Sequence, residues 1–223
     1  MATALSDRLR RRVAGCRRTV GAAAVVLVIA LMATPFASAA SGDEGTDQQP
    51  ERLLILPFDM VDSSLQGEMN HGPLEADVAR LRRTADILRR SLGDRDEFEL
   101  VDPDSVSEKI EEAASSYRYL YECNGCQIDL GKAADADLVM TGWVQKVSNL
   151  ILNINATLYD VDTGQSVGGG SVDMRSNTNK SWRAAGLYLV EHAMLENYHS
   201  RQRARAAAET TATSQTGEQS EVP

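Results

Sequence analysis

The sequence predicts an α/β fold, a three-layer mixed sheet of about five strands with helices on its faces. A strand and a helix alternate twice between residues 52 and 134, which is the pattern of crossover connections between parallel strands. Three strands then follow one another closely across Leu138–Met174, and such tight connections are typical of an antiparallel meander. A last helix begins near residue 180 and supplies further cover for the sheet.

The first β-α unit begins with Arg52–Phe58, a continuous apolar run typical of a central strand buried on both faces. Pro57 ends the strand, because proline cannot donate a hydrogen bond to a ladder. Residues 59–73 are predicted to form a polar loop. The helix Leu74–Leu92 follows, with apolar residues at spacings of three and four, and Gly93 ends it.

The second unit combines the strand Glu97–Val101 with a helix that begins at Asp102-Pro103 and is predicted to run to about Tyr121. Acidic side chains near its amino end interact favourably with the helix dipole. A shorter helix, Ile128–Ala134, leads into the meander.

The middle strand of the meander alternates apolar and polar residues, which predicts one buried face and one wet face. Its apolar positions are Leu150, Leu152, Ile154, Ala156 and Leu158. Asn153, Asn155 and Thr157 occupy the other face. Val161–Gly164 supplies a turn, and Gly168–Gly170 in the third strand indicates a bulge or the close approach of another backbone.

The amino-terminal segment Met1–Ala40 has the layout of a cleaved signal peptide. Six arginines precede the apolar run Gly21–Thr34, and Ala37-Ser38-Ala39 forms a cleavage site before Ala40, with Ser38-Ala39-Ala40 as the alternative. The apolar run is shorter than the ~20 residues that a spanning helix needs. We therefore expect no stable membrane insertion after cleavage. The paired arginines are also compatible with twin-arginine export, but no bulky apolar pattern follows them, so the general secretion route to the periplasm is favoured. Cys16 precedes the apolar run, so it is not placed as a lipid-modified cysteine.

The remaining chain is predicted to contain one domain. Ser41–Glu51 is small, polar and acidic, and is interpreted as a disordered linker. Residues 52–198 have the size of a single domain with a real core. His199–Pro223 lacks apolar periodicity and is interpreted as a frayed helix end followed by a disordered tail.

The net charge restricts the class of partner. The whole chain carries a formal charge of −9. Residues 1–40 contain six of the 23 basic and one of the 32 acidic residues, so their removal leaves 17 basic and 31 acidic residues, a charge of −14. Such a charge argues against nucleic acid and anionic membrane surfaces as main partners. The expected partner is a periplasmic or envelope protein.

Cys123 and Cys126 form a Cys-x-x-Cys motif with four possible roles. A local structural disulfide is favoured, because the expected compartment is oxidising. A thiol-disulfide redox site is the second, but a helix precedes the motif and Pro223 is the only later proline, so no proline faces the sulfurs. Zinc would need about four ligands, and the three histidines show no ligand spacing. Attachment to another molecule is the fourth.

No nucleophile elbow, phosphate loop, zinc-protease helix or paired-carboxylate motif occurs, so no catalytic residue, metal or cofactor is predicted. The amides of the wet face are instead predicted to belong to a binding surface. Its candidate residues are Trp143, Lys146, Asn149, Asn153, Asn155, Asn177, Trp182 and Arg183. The alternative is that the asparagines only pair across strands or lie in turns.

With these elements placed, the chain resembles a family of small secreted bacterial proteins known only as a domain of unknown function and related to the amino-terminal domain of TolB. Motifs shared with the wider group are Leu54–Phe58, Ala136–Val144 and Leu158–Gly164. Narrower marks are Val144–Leu152, Ser171–Trp182 and the Cys123–Cys126 pair. Together they cover nearly all of residues 52–198.

This resemblance implies a three-layer α/β domain without known catalysis, often a docking or scaffolding unit. The wider motifs also occur in envelope-assembly proteins such as lipoprotein activators of peptidoglycan synthases, and some relatives accompany periplasmic alcohol-oxidation systems. The sequence lacks the β-propeller that follows this domain in TolB and the lipid anchor of the lipoproteins. No functional residues are established for the family, so none carries over.

Three functional hypotheses follow. The first is a non-enzymatic periplasmic accessory protein that engages a protein partner through the open edge of its sheet or the face carrying Trp143 and the asparagines. The second is a thiol-disulfide redox factor that uses Cys123 and Cys126. The third is a small-ligand carrier in which the loop after Phe58 closes a pocket.

Overall fold

A computed structural model describes residues 49–218, which form an open mixed sheet with helices on both faces and a carboxyl-terminal helix. The predicted fold class is confirmed. The strands are β1 (Glu51–Ile55), β2 (Asp59–Asp62), β3 (Phe98–Val101), β4 (Leu138–Ser148), β5 (Ile151–Asp160) and β6 (Ser166–Met174). The helices are α1 (Leu65–Met69), α2 (Glu75–Gly93), α3 (Ser107–Ser116), α4 (Cys126–Ala133), α5 (Asn179–Tyr188) and α6 (Leu195–Glu218).

The sheet has the strand order β3-β1-β4-β5-β6. β1 is parallel to β3 and to β4, whereas β4, β5 and β6 form an antiparallel meander. β2 continues the line of β1 along β4, because Leu53 lies opposite Leu138 and Asp59 lies opposite Trp143. β1 and β2 thus lie end to end along the same side of β4, with Pro57 between them.

Residues 59–73 were predicted to form a polar loop, and this prediction is wrong for the first part of the segment. Asp59–Asp62 forms β2, and α1 follows directly, with the Ser64 hydroxyl accepting a hydrogen bond from the amide of Gly67 at 3.1 Å. A four-residue polar strand has little intrinsic β propensity. The far half of β4 supplies the partner that stabilises it, and that partner is distant in sequence.

Two apolar cores lie on opposite faces of the sheet. On the first face Met140, Val144 and Ile154 pack against α2, α5 and α6. On the second face Leu54 and Val139 pack against α3 and α4. Because strand side chains alternate, even-numbered residues of β4 face the first core and odd-numbered residues the second face.

The structure corrects two predictions about where helices and strands begin or end. The second crossover helix ends at Ser116 rather than near Tyr121, and Leu120–Glu122 forms a separate 3₁₀ turn. The break turns Leu120 into the second core, where 5% of it is exposed. Leu150 was predicted to be buried with the apolar stripe of β5, but it lies in the β4–β5 turn and is 68% exposed.

The last sheet-covering helix, α5, is capped by Thr178, whose hydroxyl accepts a hydrogen bond from the Ser181 amide, and Ser181 completes a capping box. α5 continues through a π-helical stretch, Leu189–Met194, into α6. The sequence predicted a frayed end and disorder from His199, but the helix continues to Glu218. Tyr198 is buried and donates its hydroxyl to Glu51, and this contact with β1 is absent from any local sequence pattern.

The glycines of β6 permit the close approach that the sequence indicated. A Cβ on Gly170 would lie 2.4 Å from the Cβ of Ala193, and one on Gly168 would lie 3.3 Å from the carbonyl oxygen of Met194. The helical stretch therefore packs directly against the backbone of β6.

Residues 1–48 and 219–223 lie outside the described structure. The predicted signal peptide, its cleavage sites, most of the linker and the end of the tail fall there. Within residues 49–218, no helix has both the length and the apolar character needed to cross a membrane.

The first prediction concerns Gly142 in β4. A Cβ at this position would lie 2.2 Å from the ring of Phe58, which fills the space beside the glycine. We expect Gly142→Ala to lower the free energy of unfolding by about 1–3 kcal/mol through overpacking. Urea unfolding monitored by circular dichroism measures the loss.

A double-mutant cycle with Phe58→Leu identifies the cause. The smaller side chain makes room for the new methyl group, so the double variant should lose less stability than the sum of the single variants. Strict additivity would mean that Phe58 is not the residue that excludes a side chain at position 142.

Candidate functional site

Half of the second face of the sheet is open. The side chains there are polar, and their neighbours on the opposite face are the buried residues Leu152, Ile154 and Ala156. We call this region the open half-face; its residues are Gln145, Asn153, Asn155, Thr157, Ser171 and Asp173. This open half-face is the wet face that the alternation of apolar and polar residues in β5 predicted.

Hydrogen bonds order part of this half-face. The Asn153 amide donates to the Ser171 hydroxyl and to the Asp173 carboxylate, both at 2.9 Å. Within residues 49–218, the side chains of Gln145 and Asn155 have no hydrogen-bond partner. Asn153 thus pairs across strands, which was the alternative to a role in binding. The amide of Asn155 is available to a ligand.

A stack of aromatic rings borders the open half-face. Trp143 lies opposite Asn155 and stacks on Tyr121 with ring centroids 4.3 Å apart and planes 12° apart. Tyr119 stacks on the other side of Tyr121 at 5.6 Å. The Tyr121 amide donates to the Asp59 carboxylate at 3.0 Å, which anchors the stack to β2.

The surroundings of the stack disfavour charge on the two acidic groups beside it. Burial, together with the hydrogen bond that the hydroxyl donates to Glu122, raises the pKa of Tyr121 to about 12. Burial also raises the pKa of Asp59, although backbone amides donating to it act in the opposite direction. Tyr121 is therefore neutral at neutral pH.

Sequence reasoning missed the two tyrosines. Tyr117, Tyr119 and Tyr121 alternate with other residues, and a spacing of two contradicts the helix that was predicted there. That spacing was the available signal for an extended segment carrying a row of aromatic rings.

The disulfide predicted between Cys123 and Cys126 is present. Cys123 is buried directly after the 3₁₀ turn that carries Tyr121, and Cys126 is the first residue of α4. Between them Gly125 has φ +99°, a left-handed conformation that favours glycine. Cys126 and Lys109 also line a cavity of about 380 Å³ between α3 and α4.

Exposed apolar residues cluster at the end of the meander. Val147, Leu150 and Ile151 are 47%, 68% and 57% exposed. The amide of Ser63 donates to the carbonyl of Lys146 at 2.9 Å, which places the start of α1 beside them. We call the group the apolar tip, and its members are Val147, Leu150 and Ile151 with Leu65, the first residue of α1.

Lys146 does not belong to a surface. Its side chain is fully buried on the first face, and its ammonium group lies 2.7 Å from Asp77 and 3.1 Å from Asp62, both also fully buried. Trp143 and Lys146 are three residues apart in one strand and therefore point to opposite faces. The predicted binding surface had combined residues from both faces.

Three further candidates join Lys146 in a polar network that extends from the buried ammonium group through half-buried Asn177 to exposed Asn149. Asn177 donates to Asp77 at 2.8 Å and to Asn149 at 3.0 Å, and it accepts from the indole nitrogen of Trp182 at 2.8 Å. Trp182 is 1% exposed and belongs to the first core. These residues hold the loop before α5 against the end of the meander.

Arg183 lies apart from both groups. It is exposed on α5 and lines a cavity of about 180 Å³ together with Arg80 and Arg83. Arg80 and Arg83 both donate to the side-chain oxygen of Asn179, at 3.2 and 3.3 Å. Of the eight predicted surface residues, only Trp143, Asn153 and Asn155 share the second face.

Opposite charges control ionisation in the buried network. Burial alone would raise the pKa of Asp77, but hydrogen bonds from Lys146 and Asn177 overcome it and hold the pKa below its usual value. Burial alone would lower the pKa of Lys146, and hydrogen bonds to Asp77 and Asp62 raise it instead. Both members of the pair are therefore charged at neutral pH.

No three His, Cys, Asp or Glu side chains among the described residues are placed to hold a metal ion together.

A protein-family profile described as "Protein of unknown function (DUF2380)" matches residues 51–194. The chain belongs to this family, DUF3280. The match spans β1 to the π-helical stretch, and membership in a family of unknown function is as the sequence motifs predicted. No curated protein matches the sequence.

Several solved structures are similar to the chain. The LpoB C-terminal domain from Salmonella enterica has a TM-score of 0.42 and 17% identity, over 59% of this chain and 87% of that chain. Lipoprotein GNA1162 from Neisseria meningitidis has a TM-score of 0.38 and 18% identity, over 58% and 84%. TolB from Acinetobacter baumannii has a TM-score of 0.32 and 15% identity, over 62% and 26%. The predicted relation to the amino-terminal domain of TolB stays a prediction.

The second prediction concerns Lys146→Met. This change removes the ammonium group from two buried carboxylates. Asp77 keeps its ion pair with Arg80 at 2.6 Å, whereas Asp62 loses its cationic partner. Removing one partner of a buried ion pair costs about 3–5 kcal/mol. Urea unfolding at pH 7 measures the cost. The double variant Lys146→Met with Asp62→Asn removes the carboxylate that was left without a partner, keeps the Asp77–Arg80 ion pair, and should recover most of the lost stability at pH 7.

The pH dependence has a defined sign. Because the folded pKa of Asp77 is depressed, its contribution to stability exists above the unfolded pKa of about 3.9 and is lost as pH falls through the folded value. Lys146→Met removes the ammonium group that lowers the pKa of Asp77, so the stability difference from the natural protein should shrink as pH falls from 7 towards 4. A difference independent of pH would contradict a charged network.

Proposed function

We propose that this protein is a non-enzymatic binding protein of the bacterial envelope, exported to the periplasm, that docks a protein partner through the apolar tip and the adjoining open half-face. The observation that carries the proposal is the exposure of Leu150 and Ile151 at the end of a polar sheet face. Ile151 lies on the same face as Asn153, two residues along β5, so the apolar and polar areas adjoin.

This arrangement has the composition of a protein interface. Contiguous exposed apolar side chains are uncommon on monomeric proteins and mark interaction sites. Burying a leucine or isoleucine on a partner contributes about 1.5–3 kcal/mol each. The neighbouring amides of Gln145 and Asn155 supply hydrogen bonds at the rim, and the stacked ring of Trp143 is of a type enriched at interfaces.

The proposed compartment rests on two features. Residues 1–40 have the layout of a signal peptide. The Cys123–Cys126 disulfide is of a kind that persists in oxidising compartments. The charge of −14 expected after cleavage favours a protein over nucleic acid or an anionic membrane as partner.

The third prediction tests the docking surface by site-specific photo-crosslinking in the cell. A photoreactive residue in place of Ile151 should give one defined crosslinked protein, because this side chain would lie inside the interface. The same residue in place of Tyr188, which is 55% exposed on α5, is the matched control and should not crosslink that protein.

An affinity measurement extends the test. Once the crosslinked protein is purified, Leu150→Asp should weaken its binding at least tenfold, because a buried carboxylate replaces an apolar contact. Tyr188→Asp should leave the affinity unchanged. Equal crosslinking at both positions would overturn the docking surface. A chain that retains residues 1–40, rather than one that begins at Ala40 or Ser41, would overturn the proposed export.

A second candidate function is thiol-disulfide exchange, and the position of Cys126 favours it. This cysteine is half-buried at the amino end of α4, where a helix dipole stabilises a thiolate, and Lys109 lines the same cavity. Against it, Cys123 is buried and the disulfide joins the 3₁₀ turn to α4 as a structural link.

The fourth prediction separates the two roles. A structural disulfide should have a reduction potential below about −300 mV, whereas catalytic pairs lie between about −270 and −120 mV. Equilibration with thioredoxin or dithiothreitol couples, followed by alkylation and mass analysis, measures it. We expect the structural value, and a potential in the catalytic range would favour the redox function instead.

A further inference from the structure

A cleft of about 340 Å³ lies at the edge of the sheet formed by β6, and it shares Trp143 and Thr157 with the far end of the proposed docking surface. Its lining includes Trp143, Thr157, Ser166, Gly169, Asn197 and Arg201. Thr157 lies six residues along β5 from Ile151, which is about 20 Å at the rise of a strand. The cleft is therefore separate from the apolar tip.

Gly169 has a different environment from its two glycine neighbours. Gly168 and Gly170 allow the last helix to approach β6, as described above. The atoms nearest to a Cβ on Gly169 would be the carbonyl oxygen of Ala156 at 3.0 Å and atoms of Thr157, all in the adjacent strand. The close approach to this carbonyl disfavours a side chain here. The absence of one also leaves the floor of the cleft bare, as at sites where a ligand approaches the backbone.

Two side chains of α6 reach the edge strand. The Asn197 amide donates to the carbonyl of Gly169 at 2.8 Å, and the Arg201 guanidinium donates to the carbonyl of Ser166. Within residues 49–218, Arg201 has no carboxylate at ion-pair distance. An unneutralised guanidinium in a chain with more acidic than basic residues is a ready partner for an anionic group.

The cleft thus combines an aromatic side chain, hydroxyl and amide groups, a bare backbone floor and one cation. We propose that it binds a saccharide that carries a carboxylate group. The C–H face of a sugar ring would lie against the indole of Trp143, as polarised C–H groups do against the electron-rich face of an aromatic ring. Sugar hydroxyls would bond to Thr157, Ser166 and Asn197, and the carboxylate would pair with Arg201.

This ligand class matches the lining better than an apolar molecule does. Apart from Trp143 the cleft offers mainly hydroxyl, amide and main-chain groups, which an apolar ligand would leave without partners after displacing water. The flat glycine floor accepts a ring, whereas a side chain at position 169 would occupy its place.

The fifth prediction is a titration of the purified, isotope-labelled chain with trigalacturonic acid, followed by nuclear magnetic resonance. The chain has two tryptophans, Trp143 and the buried Trp182, so two indole N–H signals report on the site and on the core. The Trp143 signal should move saturably and the Trp182 signal should not. Neutral maltotriose should bind at least tenfold more weakly, and monomeric glucuronate should move the same signal at higher concentration.

Three variants provide the controls. Gly169→Val fills the floor and should abolish binding, while the unchanged Trp182 signal reports that the fold is retained. Arg201→Ala should remove the preference for the acidic over the neutral trisaccharide. Arg203→Ala removes a nearby exposed guanidinium that does not line the cleft and should bind as the natural chain does.

The assignment is overturned if the Trp143 signal does not move, if it moves equally in Arg201→Ala, or if maltotriose binds as tightly as the acid. It is also overturned if acetate at equal carboxylate concentration gives the same shift, because the sugar ring would then contribute nothing. None of these results bears on the crosslinking at Ile151, about 20 Å along β5, so failure of saccharide binding in the cleft and failure of docking at the apolar tip are distinguishable.

Discussion

The buried ammonium group of Lys146 is the interaction on which the arrangement of one end of the molecule depends. Through Asp62 it fixes β2, through Asp77 it fixes α2, and Asn177 extends the contact to the loop before α5. Desolvating three charged groups offsets most of their attraction, so such a cluster adds little net stability compared with apolar packing. Its effect is on specificity, because only one register of β2 along β4 pairs Asp62 with Lys146. The apolar tip is positioned by the same contacts.

Alternation along the strands explains both the successes and the errors of the sequence analysis. The period of two in β5 and the period of 3.6 in α2 are local, and they predicted the sheet, the meander and the covering helices. β2 is too short and polar to show a pattern, and the continuation of α6 depends on Tyr198 reaching Glu51, far away in the chain. The same alternation divides the predicted binding residues: Trp143 is on the open side and Lys146 in the buried network.

The remaining parts of the candidate sites depend on tertiary contacts between segments that are distant in the chain. Local sequence patterns indicate these contacts only weakly. Tyr121 meets Trp143 only because the 3₁₀ turn is bound to Asp59 and tied to α4 by the disulfide. Asn197 and Arg201 lie 28 and 35 residues beyond the β6 carbonyls to which they donate. Arg201 lies in the segment from His199 that was interpreted as a frayed helix end followed by a disordered tail. A composition rich in alanine and polar residues describes a solvent-exposed helix as well as it describes a disordered chain, and packing of its first turns decides between them.

The distribution of packing between the two faces allows β6 to remain an exposed edge. Its first face is held by the last helix, which approaches the backbone at Gly168 and Gly170, so the strand does not need a covered second face to stay in place. The second face is therefore free to carry polar side chains and a bare position at Gly169. Substitutions on the two sides of this strand should consequently differ in kind, since a side chain at Gly170 displaces the helix and lowers stability, whereas one at Gly169 fills the cleft and leaves the core intact. Because successive residues of β6 face opposite sides of the sheet, one side of this strand contributes to folding and the other side is available for binding.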